Sequence, residues 1–451
     1  MSFGSVLIYI LFAVPILASF TYFTGRFQIM SKFSSLISVI TTIVILAEPM
    51  GNYSYFNINS VNRIILISVS VVYSLGVFYA SIYHSELQKE SAFKLHFSLM
   101  HIFVFTMYFS LLINNYGLMW IGIEATTASS ALLLIIEGGK TQIEAAWRYA
   151  IIVSAGLTLA ILPIILIYLS YGTLTASTII SEGHSPELLL SVAGVISLVG
   201  FGTKIGIFPM HTWLPDAHGE APSEISAMFS GILLPVASYV LYRFYEATFS
   251  LVVTRVYIIF IMATIVFVAM VMPSQRNIKR MFAYSTMENM AIITLGLISG
   301  GIALIGALLI IITHAFAKSG AFFSSGNIFK NYGTKDMNAI RGLRDRMPGT
   351  AAALIVSSLM VSGTPPFTIF VGELLIIYSL ILTNNLPSII IIVICLFIIS
   401  ISMMNKVTGM VFDGNSSVSI KKEVNNSQLA ITIVSVALAI SIIFVYLGGV
   451  I

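Results

Sequence analysis

The sequence predicts an all-α polytopic membrane protein of about 14 transmembrane helices, and three observations carry that prediction. The first is composition: 58% of the 451 residues are hydrophobic and only 9% charged, with a mean hydropathy of +0.99, a balance that cannot clothe a soluble core in polar surface. The second is the length of the apolar runs, which repeatedly reach the roughly 20 residues needed to cross a bilayer. The third is the distribution of basic residues, since Lys and Arg concentrate in cytoplasmic loops. One set of alternating loops holds Arg26, Lys32, Lys89, Lys94, Lys140, Arg148, the clusters within 276–280 and 330–346, Lys406, Lys421 and Lys422. The opposite set holds only Arg63, Arg243 and Arg255, while Lys204 and Lys318 fall inside spans. A miscounted helix would have scrambled this asymmetry, which places both termini on the outer face. The net charge of +4 then belongs to loops at an anionic inner membrane surface, and nucleic acid is not needed to account for it.

In chain order the spans fall at about 4–23, 31–48, 61–83, 91–113, 115–136, 145–171, 187–213, 222–245, 252–272, 278–299, 302–329, 350–383, 387–405 and 428–450. Residues 1–23 run directly into a spanning length without a small-residue cleavage site, so the first helix is expected to be retained. Organisation follows as an N-terminal three-helix segment (1–85), two five-helix units (86–245 and 252–412), and a C-terminal loop with the last helix (413–451). A five-helix repeat enters the membrane from opposite sides in its two copies, which makes the pair inverted. The fourth helix of each unit is interrupted by proline and glycine, in GFGTKIGIFPMHTW and in GTPPFTIFVGELL. Interrupted hydrophobic segments at corresponding places in two halves point to an ion site at mid-membrane. The connecting loops are too short for a soluble domain. No phosphate-binding glycine fingerprint is present, and Cys395 stands alone in an apolar span, leaving no thiolate metal or iron–sulfur site. No cofactor and no metal are expected in this chain.

The chemistry must come from the few ionisable groups within the spans, each costing about 2.5–3.5 kcal/mol at a helix centre and therefore expected to face partners or water. Glu124 lies near the middle of its span and Lys204 just before the first break, where Pro209 frees backbone carbonyls. Removal from water works against the charged form of either side chain, so the two, if adjacent, are poised to trade a proton; a static ion pair tying two helices together is the other reading. His314 and Lys318 stand at i, i+4 and share a helix face. They suit a relay between Lys204 and Glu373, or else a hydrogen-bonded His with a Lys snorkelling to the membrane surface. Glu373 follows the second break, beside Gly372, and reads as a terminal proton donor. Glu288, one turn from Ser285 and Thr286, serves either transport or structural hydrogen bonding. His211 and His218, with Asp216 and Glu220, form either a proton entry funnel or a polar turn. His96 and His101 are poor haem ligands, because they share one helix about 140° apart.

These residues sit in a series of ordered motifs. GLMWIGIEATTASSALL, GFGTKIGIFPMHTWLPDAHGEAPS, QRNIKRMFAYSTMENM, THAFAKSGAFFSSG and PPFTIFVGE, spanning about residues 110–375, resemble the successive signatures of the antiporter-like subunits of respiratory complex I and its relatives. The wording is most similar to component F of the membrane-bound hydrogenases, with the M-type subunit of complex I next. The resemblance implies a fourteen-helix fold and a proton channel along a central hydrophilic axis. It casts Glu124 and Lys204 as the coupling pair, Lys318 as the central-axis lysine and Glu373 as the exit-side residue. One position departs from the complex I pattern: Pro235 stands where those relatives carry a lysine. The chain ends soon after its last helix, which the resemblance reads as a middle subunit.

The expected function is thus a proton-translocating membrane subunit of a redox-driven complex in a prokaryotic cell membrane. Other membrane subunits, further antiporter-like chains among them, would flank it, and a peripheral arm with iron–sulfur or nickel–iron centres would drive it. Two alternatives stay open: a subunit of a multisubunit cation/proton antiporter, and the membrane half of an inorganic-carbon uptake pair. Sodium favours a cage of hard oxygen ligands, whereas the buried set here mixes lysine and histidine with separate carboxylates.

Overall fold

The computed structural model describes residues 2–84, 90–136, 138–182, 188–414 and 426–447; Lys89, Lys421 and Lys422 of the basic loops lie outside them. The helices follow in order as α1 (Phe3–Ser19), α2 (Phe27–Ala47), α3 (Ser60–Tyr83), α4 (Glu90–Leu112), α5 (Tyr116–Leu134), α6 (Lys140–Leu159), α7 (Ile161–Tyr171), α8 (Ala176–Glu182), α9 (Leu188–Ile205), α10 (Trp213–Glu220), α11 (Ser223–Met228), α12 (Leu234–Ala247), α13 (Leu251–Val271), α14 (Ile278–Ser299), α15 (Gly301–Tyr332), α16 (Leu343–Arg346), α17 (Pro348–Val361), α18 (Thr368–Leu382), α19 (Leu386–Phe412) and α20 (Asn426–Leu447). Among the described residues 12 helices are long and apolar enough to cross a bilayer, with Lys140–Tyr171 and Ser223–Ala247 each taken as one. Three shorter apolar helices, α1, α17 and α18, accompany them. The chain is an all-α, multi-pass membrane protein; how these three short helices combine decides the total number of crossings.

The sequence reading missed one non-helical element. A hairpin pairs β1 (Gly51–Tyr53) with β2 (Phe56–Ile58), antiparallel, with Asn52 opposite Asn57. It ends at Asn59, whose side chain accepts from the Asn62 N–H while Asn62 returns a bond to the Asn59 N–H, a capping box that starts α3. The span read as 145–171 is divided at Ala160. Pro163 cannot donate to Leu159, which weakens the helix there, and Gly200 of α9 packs into the bend, where a Cβ would lie 2.7 Å from that of Ala160.

Packing divides the chain into two compact units, one of Met1–Trp213 with Ile232–Ile259 and the other of Leu214–Gly231 with Phe260–Ile451. In the first, α2, α3 and α4 are joined by buried hydroxyls: Thr42 to Ser70 at 2.6 Å, Ser70 to Tyr108 at 2.7 Å and Ser35 to Ser74 at 3.3 Å. Lipid offers little hydrophobic drive between helices, so such bonds, worth about 0.6 kcal/mol each, and close packing hold them. His101 belongs to this set, its Nε2 on Ser31 Oγ at 2.9 Å and its Nδ1 on the Tyr73 hydroxyl. Both ring nitrogens are thereby occupied by hydroxyls.

In the second unit α14 is buried along nearly its whole length, whereas α19 is exposed along most of its own. The continuous helix α15 crosses α18 where Gly306 and Gly372 interlock: a Cβ on either would lie 2.6 Å from the other's carbonyl oxygen. Gly372, read from the sequence as room beside Glu373, therefore serves as a backbone contact. Ser435 Oγ donates to Phe316 O at 3.0 Å and Asn327 Nδ2 to Thr432 Oγ1 at 3.2 Å, tying α20 to α15. Between α11 and α12 the helix widens into a π turn at Phe229–Leu233, just before Pro235. The ring would clash with the carbonyl four residues back and supplies no N–H, and one wider turn absorbs both effects.

Candidate functional site

The first break follows from local chemistry. Gly206 has φ +88°, a conformation open to glycine at little cost, and it turns the chain out of α9. The N–H groups of Gly206 and Ile207 both donate to Gly202 O at 2.9 Å, so the next carbonyl, Thr203 O, loses its helical partner. The Trp213 indole fills that role, donating to Thr203 O at 2.8 Å. Trp213 is completely buried, and its ring lies 4.6 Å from that of Tyr149. Return of the chain past Pro209 thus caps α9 and sets an aromatic floor beneath its last turn.

Lys204 occupies that last turn and is fully buried. Its Nζ donates to Tyr149 OH at 2.6 Å and to Thr127 Oγ1 at 2.9 Å, and it stands 4.9 Å from the centre of the Tyr149 ring. Tyr149 OH in turn meets Ser130 Oγ at 2.6 Å. Glu124 is only partly buried; Ser154 Oγ donates to its Oε1 at 2.6 Å. The two charges do not touch. Each is held by neutral hydroxyls, and Glu124 acts on Lys204 through space. Because Glu124, Thr127 and Ser130 recur every three residues on α5, they lie along one face of that helix.

The second break lies between α17 and α18, where Gly363 has φ +61°. A Cβ there would collide with both carboxylate oxygens of Glu373, at 2.2 and 2.6 Å, so the glycine seats the buried Glu373 side chain. The carboxylate faces a cavity of about 700 Å³ lined by Ser362, Gly363 and Thr364 of the break and by Phe397 and Met404 of α19. Glu288, also buried, accepts from Asn289 Nδ2 at 2.6 Å, and the same amide reaches Val361 O, the last carbonyl of α17, at 3.2 Å. Glu288 lies within electrostatic reach of both Glu373 and Lys318. The second unit therefore assembles a lysine and two carboxylates around its break.

Lys318 does not snorkel. It is fully buried, with Nζ donating to Phe282 O at 2.8 Å and lying 5.6 Å from the Phe282 ring. His314 shares its helix face and is likewise buried, but neither ring nitrogen has a hydrogen-bond partner among the described residues. His218 has the same character, stacked on Phe322 at 5.2 Å and 13° with both nitrogens unmatched. Buried polar nitrogens left in this way call for water. His211 belongs to the turn of the first break and stacks on Phe208 at 5.6 Å. Asp216 pairs with Arg280, and Glu220 lies 3.6 Å from Lys335, so these two acids are neutralised at the helix ends.

Sequence reasoning missed the surrounding hydroxyls: Thr127 and Tyr149 seat Lys204, Ser130 bonds to Tyr149, and Ser154 holds Glu124. The three-residue spacing of Glu124, Thr127 and Ser130 was the available signal.

A membrane bundle with two broken helices, a fully buried lysine in each half and carboxylates within electrostatic reach of them defines a class of ion-translocating membrane proteins. Within that class, residues 113–402 match the family described as NADH:quinone oxidoreductase/Mrp antiporter, TM, and the chain belongs to it. It is 31% identical over 369 residues to a hydrogenase-4 component F homolog of Methylacidiphilum infernorum, covering 76% of each chain. It is 28% identical to hydrogenase-4 component B of Escherichia coli over 70% of this chain, but spans only 49% of that longer relative. Among solved structures it superposes on a chain of an archaeal membrane-bound sulfane sulfur reductase with a TM-score of 0.87, at 20% identity, covering 98% of this chain and 94% of the other.

Proposed function

We propose that this chain is a proton-translocating membrane subunit of a redox-driven complex, working in a prokaryotic plasma membrane with both termini outside. One observation carries the reading: Lys204, fully buried at a helix break, rests on side-chain hydroxyls. A permanent structural cation would gain most from a contact carboxylate. A lysine held by neutral hydroxyls, with Glu124 near but not touching, can change its charge state without breaking an ion pair. Lys318 with His314, then Glu288 and Glu373, supply the groups through which a proton continues in the second unit. Charge changes delivered by a neighbouring subunit would act first on Glu124, the least buried of the set.

The chain performs no redox step in this account and holds no cofactor. Electron transfer belongs to a peripheral arm with iron–sulfur or nickel–iron centres, and further antiporter-like subunits stand beside this one. The test is to purify the assembly through a tag on this chain, identify its partners, and reconstitute it in liposomes with a pH-sensitive dye. Redox partners together with substrate-driven proton movement support the proposal. Exchanger subunits with sodium-driven proton movement and no redox partner would replace it with the antiporter reading, and a soluble zinc partner with the carbon-uptake reading.

A further inference from the structure

Glu373 differs from Glu124 and Glu288 in that no hydrogen-bond donor meets its carboxylate among the described residues. The side chain is 6% exposed, and it faces the cavity of about 700 Å³ beside the second break. The hydroxyls that share this lining are committed elsewhere. Ser362 Oγ donates to Leu359 O at 3.1 Å, the Thr364 hydroxyl meets Ser362 Oγ at 2.9 Å, and Ser400 Oγ donates to Ser362 O at 2.6 Å. Buried acceptors are matched as a rule, and one water, with its share of roughly 30 Å³, would fill little of this space. Most of the remaining lining is apolar, formed by Leu374 of α18 with Val393, Ile394, Phe397 and Ile401 of α19. These five side chains are exposed, so the cavity is entered from the side of the helices. Phe397 stands near the middle of the 27-residue α19, which sets the entrance in the hydrocarbon layer.

We infer that this cavity binds amphipathic amines, with the N–H groups of the head donating to Glu373 and the apolar tail lying along α19. A cation is the complement of a buried carboxylate, and an amine presents several N–H donors to its two oxygens. The apolar tail matches walls that gain from exclusion of water. A quinone head fits less well, because its carbonyl oxygens accept hydrogen bonds, as the carboxylate does. The volume falls within the roughly 300–1,000 Å³ usual for small-molecule sites. An amine enters the hydrocarbon layer as the neutral base and meets the carboxyl group there, one proton being shared between the two, so no unpaired charge crosses the lipid. Binding itself stands apart from the proposed function, although under that reading a seated amine would occupy Glu373 and stop its part in proton transfer.

The probes are dodecylamine carrying a mid-chain diazirine and the matching alcohol, each photolysed with the complete complex in lipid nanodiscs, with crosslinks located by mass spectrometry. The amine is expected to label the walls of α18 and α19 saturably, at concentrations about tenfold or more below the alcohol, since its head alone makes a charge-assisted bond to the carboxylate. Glu373→Gln should bring the two probes level. Ile401→Trp, which fills the cavity from one wall, should remove saturable labelling by both; should that variant fail to assemble, Glu373→Gln carries the test. Equal labelling by amine and alcohol in the wild type would mean a groove for acyl chains only and would overturn the inference. So would absence of label from these walls, the result expected where a neighbouring subunit covers them. A preference for the amine that survives in Glu373→Gln overturns it as well.

Discussion

Among the described residues two lysines are fully buried, and they are seated on different chemistry. Lys204 in the first unit bonds to two side-chain hydroxyls, Tyr149 and Thr127, and hydroxyls can accept one proton while passing on another. Lys318 in the second bonds to a backbone carbonyl, Phe282 O, which accepts a hydrogen bond but has no proton of its own to pass on. Hydroxyls such as those of the first seat can hand a proton on, whereas the carbonyl of the second can only hold one in place. A proton on Lys318 must leave by a different face, toward His314 on its own helix or toward Glu288. The carboxylates differ in the same sense: Glu124 is alone and partly exposed, while Glu288 and Glu373 lie buried around one break. Under the proposed function, similar breaks in similar bundles would then take unequal tasks, with charge sensing in the first unit and proton storage and hand-off in the second.

The comparison can be broken by substitution. Lys318→Ala is expected to have the largest effect in the second unit, lowering translocation by about 10²-fold, since it is the fully buried cation within electrostatic reach of Glu288; near-normal translocation in vesicles would remove the second site from the path. Glu124→Gln keeps shape and hydrogen bonding but loses charge, so translocation should fall by about tenfold or more, with Glu124→Asp keeping part of the rate. A fully active glutamine variant would make Glu124 structural and erase the contrast in roles. His314→Ala should cost about tenfold, because the imidazole shares a helix face with Lys318 and gives it a titratable neighbour, and ordered water between His314 and Lys318 should appear in a high-resolution map. Gly372→Ala should change the rate least. Its Cβ would meet Gly306 O at 2.6 Å, an overpacking costing about 1–3 kcal/mol, visible as a lower melting temperature of the purified complex with proton translocation per turnover preserved.

Much of this arrangement was legible in advance, for identifiable reasons. Helix α14 falls at Ile278–Ser299, as its apolar run indicated, and both breaks follow from proline and glycine within otherwise unbroken hydrophobic stretches. Glu124, Lys204, Lys318 and Glu373 stood out because charge within a span is rare. The hydroxyls around Lys204 did not, since Ser, Thr and Tyr are scattered through most spans and only the rotation of α5 against α6 and α9 selects Thr127, Ser130 and Tyr149. Phe282 O was invisible because every residue has a carbonyl. Asp216 and Glu220 looked like companions of His211 and His218, yet Arg280 in the first turn of α14 and Lys335 in the loop after α15 claim them from far along the sequence. The bend at Ala160 required knowing that Gly200 presses against it.

Lys204 is the group on which the proposed function depends most, and one measurement addresses it directly. Vesicles containing the assembled complex with Lys204→Ala are supplied with the driving substrates, and internal pH is followed beside an ionophore-treated control. No proton movement above the control is expected, while the complex remains intact at wild-type abundance. Acidification at the wild-type rate in that variant would contradict the proposed function.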